Sequence, residues 1–190
     1  MNTVRIEEII NDYKRWRDVN PDSWIIHCKS QDSLEEAIEC AARAKNHEGK
    51  KNPHQYRLRI KAIDAFVASL NEQKAAIAQV QTFKELLQII TKNTVKYIGP
   101  LAHYDTAVRI GAWLDLSPEY IYIHCGTKVG AERLLKRKIR TPFINISELP
   151  SPFLQARLTN DELENLLCIC KDCFLDENKP CPPVKTTTRC

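Results

Sequence analysis

Apolar residues recur along most of this chain at intervals of three and four, the period of a helix with one buried face. Ile6, Ile9, Ile10, Tyr13 and Trp16 share one side of a helix predicted over about Val4–Arg17, which Asn20-Pro21 ends. Trp24-Ile25-Ile26 is a short apolar run open to a helical turn or a strand. Ser33 and Glu36 have capping-box spacing and start a helix to about Lys45. After a polar loop, Asn52-Pro53 supplies an N-cap and a first-turn proline for a helix to about Leu70, with Tyr56, Ile60, Ile63, Phe66, Val67 and Leu70 facing inward. A short helix over Glu72–Val80 follows, and Thr82 with Glu85 caps another whose apolar face is Leu86, Leu87 and Ile90.

Ile98-Gly99-Pro100 predicts a tight turn into a helix over about Ala102–Leu114. Tyr120 to His124 alternates like a strand, but Ser117-Pro118 before it favours a short helix that Gly126 ends. A helix over about Lys128–Leu135 comes next, then a connecting loop over Thr141–Pro152. Thr159 and Glu162 cap a last helix to about Phe174. These elements predict an all-α or α-rich compact domain over residues 1–175, divisible into subdomains 1–80 and 81–175, with a flexible tail over 176–190.

Composition narrows the class. Apolar residues at 43% and charged residues at 27% are those of a globular chain, and 190 residues suffice for a sizeable core. No stretch approaches the roughly 20 apolar residues that span a bilayer. Glu7 and Glu8 near the N-terminus do not suit a secretory leader, so a cytoplasmic protein without membrane contact is expected. In that compartment the 8 cysteines are expected as reduced thiols, with Cys28, Cys40 and Cys125 buried.

The net charge of +4 permits a polyanionic partner, and the basic residues cluster. Lys128, Arg133, Lys136, Arg137, Lys138 and Arg140 are opposed by Glu132 alone. Lys50, Lys51, Arg57, Arg59 and Lys61 form a second group around Tyr56. Both are what a phosphate-neutralising surface requires, and both equally suit a solvated helix face.

Gly126-Thr127-Lys128-Val129-Gly130-Ala131, followed by Leu134-Leu135, resembles the hairpin of helix-hairpin-helix DNA-binding proteins, one residue shorter than usual. Ile98-Gly99-Pro100-Leu101 is a second such segment without the second glycine. The resemblance implies backbone amides of a glycine turn set against a phosphate, where a side chain would block the approach. Asp105-Thr106-Ala107-Val108-Arg109-Ile110 resembles the aspartate helix of the DNA glycosylases of that family, in which the aspartate supports base excision. There the hairpin precedes the aspartate, whereas here the better hairpin follows it. Beside this stands a plain reading of Asp105 and Arg109 as an i,i+4 ion pair.

The sequence therefore supports three readings. The first is nucleic-acid binding, to DNA or RNA, by Gly99, Gly126, Thr127, Lys128, Gly130, Arg133, Lys136, Arg137, Lys138 and Arg140. The second is an enzyme with a pocket around His103, Tyr104, Asp105, Arg109 and His124, Asp105 being its catalytic candidate. The third is a protein-interaction module anchored by an aromatic such as Trp113 or Tyr122. Neither a Walker loop nor a dinucleotide fingerprint occurs, so no cofactor is expected. Cys170-x-x-Cys173 has the spacing of a zinc knuckle and Cys181 follows it, but no second knuckle does, so adventitious thiols are expected rather than a metal site.

Overall fold

The computed structural model describes residues 2–176 and 180–181. It contains α1 (Thr3–Val19), α2 (Ser23–Lys29), α3 (Leu34–Arg43), α4 (Ile60–Glu72), α5 (Lys74–Ile77), α6 (Phe83–Lys92), α7 (Pro100–Trp113), β1 (Ile121–Tyr122), α8 (Cys125–Leu135), β2 (Phe143–Ile144), α9 (Ser151–Gln155) and α10 (Asn160–Ile169). The fold is thus α-rich, as the apolar periodicity predicts, with one two-stranded sheet among the described residues. No helix among them is long and apolar enough to cross a membrane.

The chain forms two units, and their boundaries differ from the expected split at residue 80. A central unit runs from Asp22 to Ser117, and a terminal unit joins Met1–Pro21 to Pro118–Cys190. The reason lies in the apolar face of α1. Ile6, Ile9, Ile10 and Tyr13 share one core with Leu163, Leu166 and Leu167 of α10, far away in sequence. Arg17 at the end of α1 also pairs with Glu162, their atoms 2.5 Å apart.

In the terminal unit, β1 and β2 are antiparallel, with Ile121 opposite Ile144 and Tyr122 opposite Phe143. This corrects the expected helix at Tyr120–His124, because Phe143-Ile144 supplies the strand partner that local preference cannot reveal. Tyr120 stacks on Phe143 at 4.4 Å and Ile121 is fully buried. The expected loop over Thr141–Pro152 therefore holds β2 and a 3-10 turn over Ile146–Glu148.

In the central unit, α7 is the axis, packed by α2, α3 and α6. Ala107 and Ile110 are fully buried along it. The Ser33, Thr82 and Thr159 caps all form, each side-chain oxygen accepting from the backbone N–H three residues on. One expectation fails upstream of α4. Asn52-Pro53 starts only a 3-10 turn over Pro53–Gln55, and α4 begins at Ile60 with Arg59 as its cap. Tyr56 and Ile60 are consequently exposed instead of buried.

Most of the expected tail, residues 177–179 and 182–190, lies outside the described residues. Cys181 is described and is not loose. It is buried in the terminal-unit core and disulfide-bonded to Cys173. That bond also corrects the expectation that every thiol is reduced.

Candidate functional site

The segment expected to hold the phosphate-binding hairpin is one continuous helix. His124 is the N-cap of α8, and Gly126, Thr127 and Gly130 lie within the helix and are buried. A Cβ on Gly130 would sit 1.9 Å from the backbone oxygen of Leu167, so this glycine lets α8 and α10 touch. The Thr127 hydroxyl donates to the Glu164 carboxylate, and His124 Nδ1 lies 3.5 Å from the same group. The helix-hairpin-helix geometry expected at Gly126–Gly130 is therefore replaced by close helix packing. Gly99 does cap a helix, α7, with extended backbone and no neighbour that would exclude a side chain. It belongs to the central unit and Gly126 to the terminal one.

The basic residues remain at the surface. Arg133, Lys136, Arg137 and Lys138 line an open cleft of about 450 Å³ together with Val129 and Glu132. Lys136 ends α8 with a left-handed backbone, φ 52°, and residues 136–138 line the cleft. Three of the cations are paired. Arg133 donates to Asp172, Arg137 to Glu148 and Lys138 to Glu132. Lys128, Lys136 and Arg140 are exposed and make no ion pair among the described residues. Bonding to the Ile139 N–H, helped by Lys138, holds the Glu132 carboxyl below its usual range, so Glu132 stays ionised.

The second basic group is more engaged. Lys50 pairs with Glu48, Lys51 donates to the Leu58 carbonyl, and Arg59 lies over the Tyr97 ring at 5.0 Å. Burial pulls the Lys51 ammonium below its usual range.

Of the residues expected to form an enzymatic pocket, Asp105 and Arg109 are brought within ion-pair distance. His103 is buried against Phe66, its Nε2 2.7 Å from the Thr94 hydroxyl, and burial pulls its pKa below the ordinary value. Tyr104 meets Phe83 edge to face. Asp105 lies 3.3 Å from His54 Nδ1 and 3.8 Å from buried Arg109, whose guanidinium also donates to the Ala41 carbonyl. His124 belongs to the other unit. The i,i+4 pair read from the sequence is present, while the participation of His54 is visible only in the fold.

The thiols give a further grouping that spacing alone does not reveal. Cys28 on α2 hydrogen-bonds to Cys40 on α3; that bond and the Arg109 charge hold the Cys40 thiol low against burial, and Cys28 is raised. Cys125, expected inside, is exposed. At the end of α10, Cys170 is the C-cap, and the Cys173 N–H donates to its carbonyl at 2.9 Å, closing a tight turn. The sulfurs of Cys170, Cys173 and Cys181 all lie within 4.8 Å of one another, and all three residues are buried. Burial pushes the Cys170 thiol up to about 12. Cys168, two positions back on the helix, is buried but stands outside this group, as its helical phase requires.

Comparison of the chain with protein-family models, curated proteins and solved structures finds no match.

Proposed function

We propose that the terminal unit binds the phosphate backbone of nucleic acid along the cleft at the C-terminal end of α8. The observation that carries this reading is the convergence of Arg133, Lys136, Arg137 and Lys138 on one open surface, where Asp172, Glu148 and Glu132 pair with three of them and Lys136 makes no ion pair among the described residues. Lys128 and Arg140 are exposed on the same unit. The mode is charge neutralisation by side chains. Backbone amides of a glycine turn play no part in it, because Gly126 and Gly130 are buried within α8.

Lysine and arginine heads at such a surface replace the condensed counterions of a nucleic acid, and the released ions drive association. Contacts of this kind position the polymer without reading its bases. The cleft therefore favours weak sequence discrimination and strong dependence on salt.

Fluorescence anisotropy with labelled single- and double-stranded oligonucleotides, over rising salt, tests the reading. Binding that weakens steeply with salt and falls on replacing Lys136 and Arg140 by alanine supports it. Absence of binding to DNA or RNA at low salt by the folded wild-type chain defeats it.

A further inference from the structure

We propose that Cys170, Cys173 and Cys181 form a binding site for a thiophilic divalent cation, zinc, in the reduced protein. A third sulfur stands beside the disulfide, which needs only two. Cys173 and Cys181 are joined, their Cα atoms 6.1 Å apart, yet the Cys170 sulfur also lies within 4.8 Å of both. Three cysteines reach this point by separate routes. Cys170 caps α10, Cys173 follows across a hydrogen-bonded turn, and Cys181 stands eight positions after Cys173 in the chain.

A Zn–S bond of about 2.3 Å in tetrahedral geometry sets thiolates roughly 3.8 Å apart. The three sulfurs already lie within 4.8 Å of one another. Opening the Cys173–Cys181 bond to that spacing demands only a small separation of side chains. The Cys170-x-x-Cys173 turn is also the knuckle from which zinc sites are commonly built.

A dithiol reductant gives two electrons and two protons to the Cys173–Cys181 bond, yielding two thiols and leaving as its own disulfide. Zinc then displaces one proton from each of the three thiols to solvent, with no change in its oxidation state. Its fourth position is left to water or another donor. Three thiolates around Zn²⁺ carry one net negative charge. Cation binding therefore releases protons.

The site has a consequence for its surroundings. Lys171 and Asp172 sit inside the knuckle, and Arg133 donates to the Lys171 carbonyl at 2.9 Å and to Asp172 at 2.6 Å. Closing the knuckle on a metal fixes the acceptors that orient Arg133.

The test uses the full chain, reduced with a phosphine and titrated with Co²⁺ as a spectroscopic stand-in for zinc. One equivalent should bind with thiolate-to-cobalt charge-transfer absorption and the intense visible bands of a tetrahedral site, and Zn²⁺ should bleach them. Cys170→Ser, Cys173→Ser and Cys181→Ser should each lose or sharply weaken the signal, while a Cys28→Ser/Cys40→Ser variant retains it. An arm without substitutions guards against misfolded variants: oxidising the wild-type chain should abolish uptake, and reduction should restore it. No cobalt uptake by the reduced chain, uptake indifferent to oxidation, a signal surviving all three serine substitutions, or a signal lost with Cys28 and Cys40 overturns the proposal. None of these readings depends on nucleic-acid binding, so each proposal can fail alone.

Discussion

Arg133 reaches from α8 to Asp172, its Nη1 2.6 Å from the carboxylate, and so ties the basic cleft to the cysteine-bearing turn after α10. The pair is part-exposed, and pairs of this kind contribute only about 0–1 kcal/mol to stability. Its importance lies in local charge, since Asp172 neutralises one cation of the cleft.

Opposite effects on binding follow from the two halves of that pair. Arg133→Ala should weaken oligonucleotide binding, and Asp172→Asn should strengthen it and steepen its salt dependence. Thermal midpoints of both should stay close to wild type. Asp172→Asn weakening the affinity of a well-folded chain would mean that the acceptor, not the free charge, governs the cleft.

Gly130→Ala should cost about 1–3 kcal/mol or more, because the added methyl overlaps the α10 backbone at Leu167 and one helix must shift. Gly99→Ala should change stability by no more than about 0.5 kcal/mol, since nothing lies within 4 Å of the new atom. Denaturant unfolding of the two variants compares them directly. Equal effects would sink the assignment of Gly130 to helix contact.

The same glycines show where reading the sequence succeeds and where it stops. Gly126 and Gly130 stand four apart, the spacing of one helix face, which the resemblance to a hairpin turn leaves unused. Capping at Ser33, Thr82 and Thr159 was legible because each involves a residue only three positions away. The inward face of α1 was legible for the same local reason. What it packs against was not, since Leu163 and Leu166 lie at the far end of the chain. Pairing of β1 with β2, His54 with Asp105, and Cys181 with Cys173 likewise depends on contacts that no local period contains. The basic run was visible as composition, but the fold decides which of its members are neutralised.

Asp105 is expected to matter for stability. Arg109 is 4% exposed, and Asp105 is its nearest carboxylate at 3.8 Å. Removing one partner of a buried pair typically costs about 3–5 kcal/mol, and Asp105's partial exposure sets the expectation for Asp105→Ala at the lower end. Urea unfolding measures it. A variant of unchanged stability would show that Arg109 is compensated elsewhere and would return Asp105 to consideration as a reactive group.

His103 should make stability fall as the solution becomes acidic. Its folded pKa is held below the ordinary 6.5 by burial. The unfolded chain therefore takes up the proton first, and folding opposes it. The contribution is intact above about pH 6.5, is lost as pH falls towards the folded value, and is fully lost below it. Subtracting the pH–stability profile of His103→Gln from that of wild type isolates this slope. An unchanged profile between pH 7 and 5 would place the titration on another group.

The strongest test of the cleft compares charge at matched number and different place. Lys136 and Arg140 are exposed and make no ion pair among the described residues, so their removal should perturb the fold little. If each contacts one phosphate, the Lys136→Ala/Arg140→Ala chain should lose up to about 2 from the slope of log affinity against log salt on double-stranded DNA. The weakening should be alike for oligonucleotides of different sequence, because phosphate contacts carry no base information. Lys84→Ala/Lys92→Ala removes the same charge from α6, in the central unit. That control should retain the wild-type slope if binding is local to α8. An equal loss in both variants would show that net charge alone drives association, and the cleft would then have no claim to be the site.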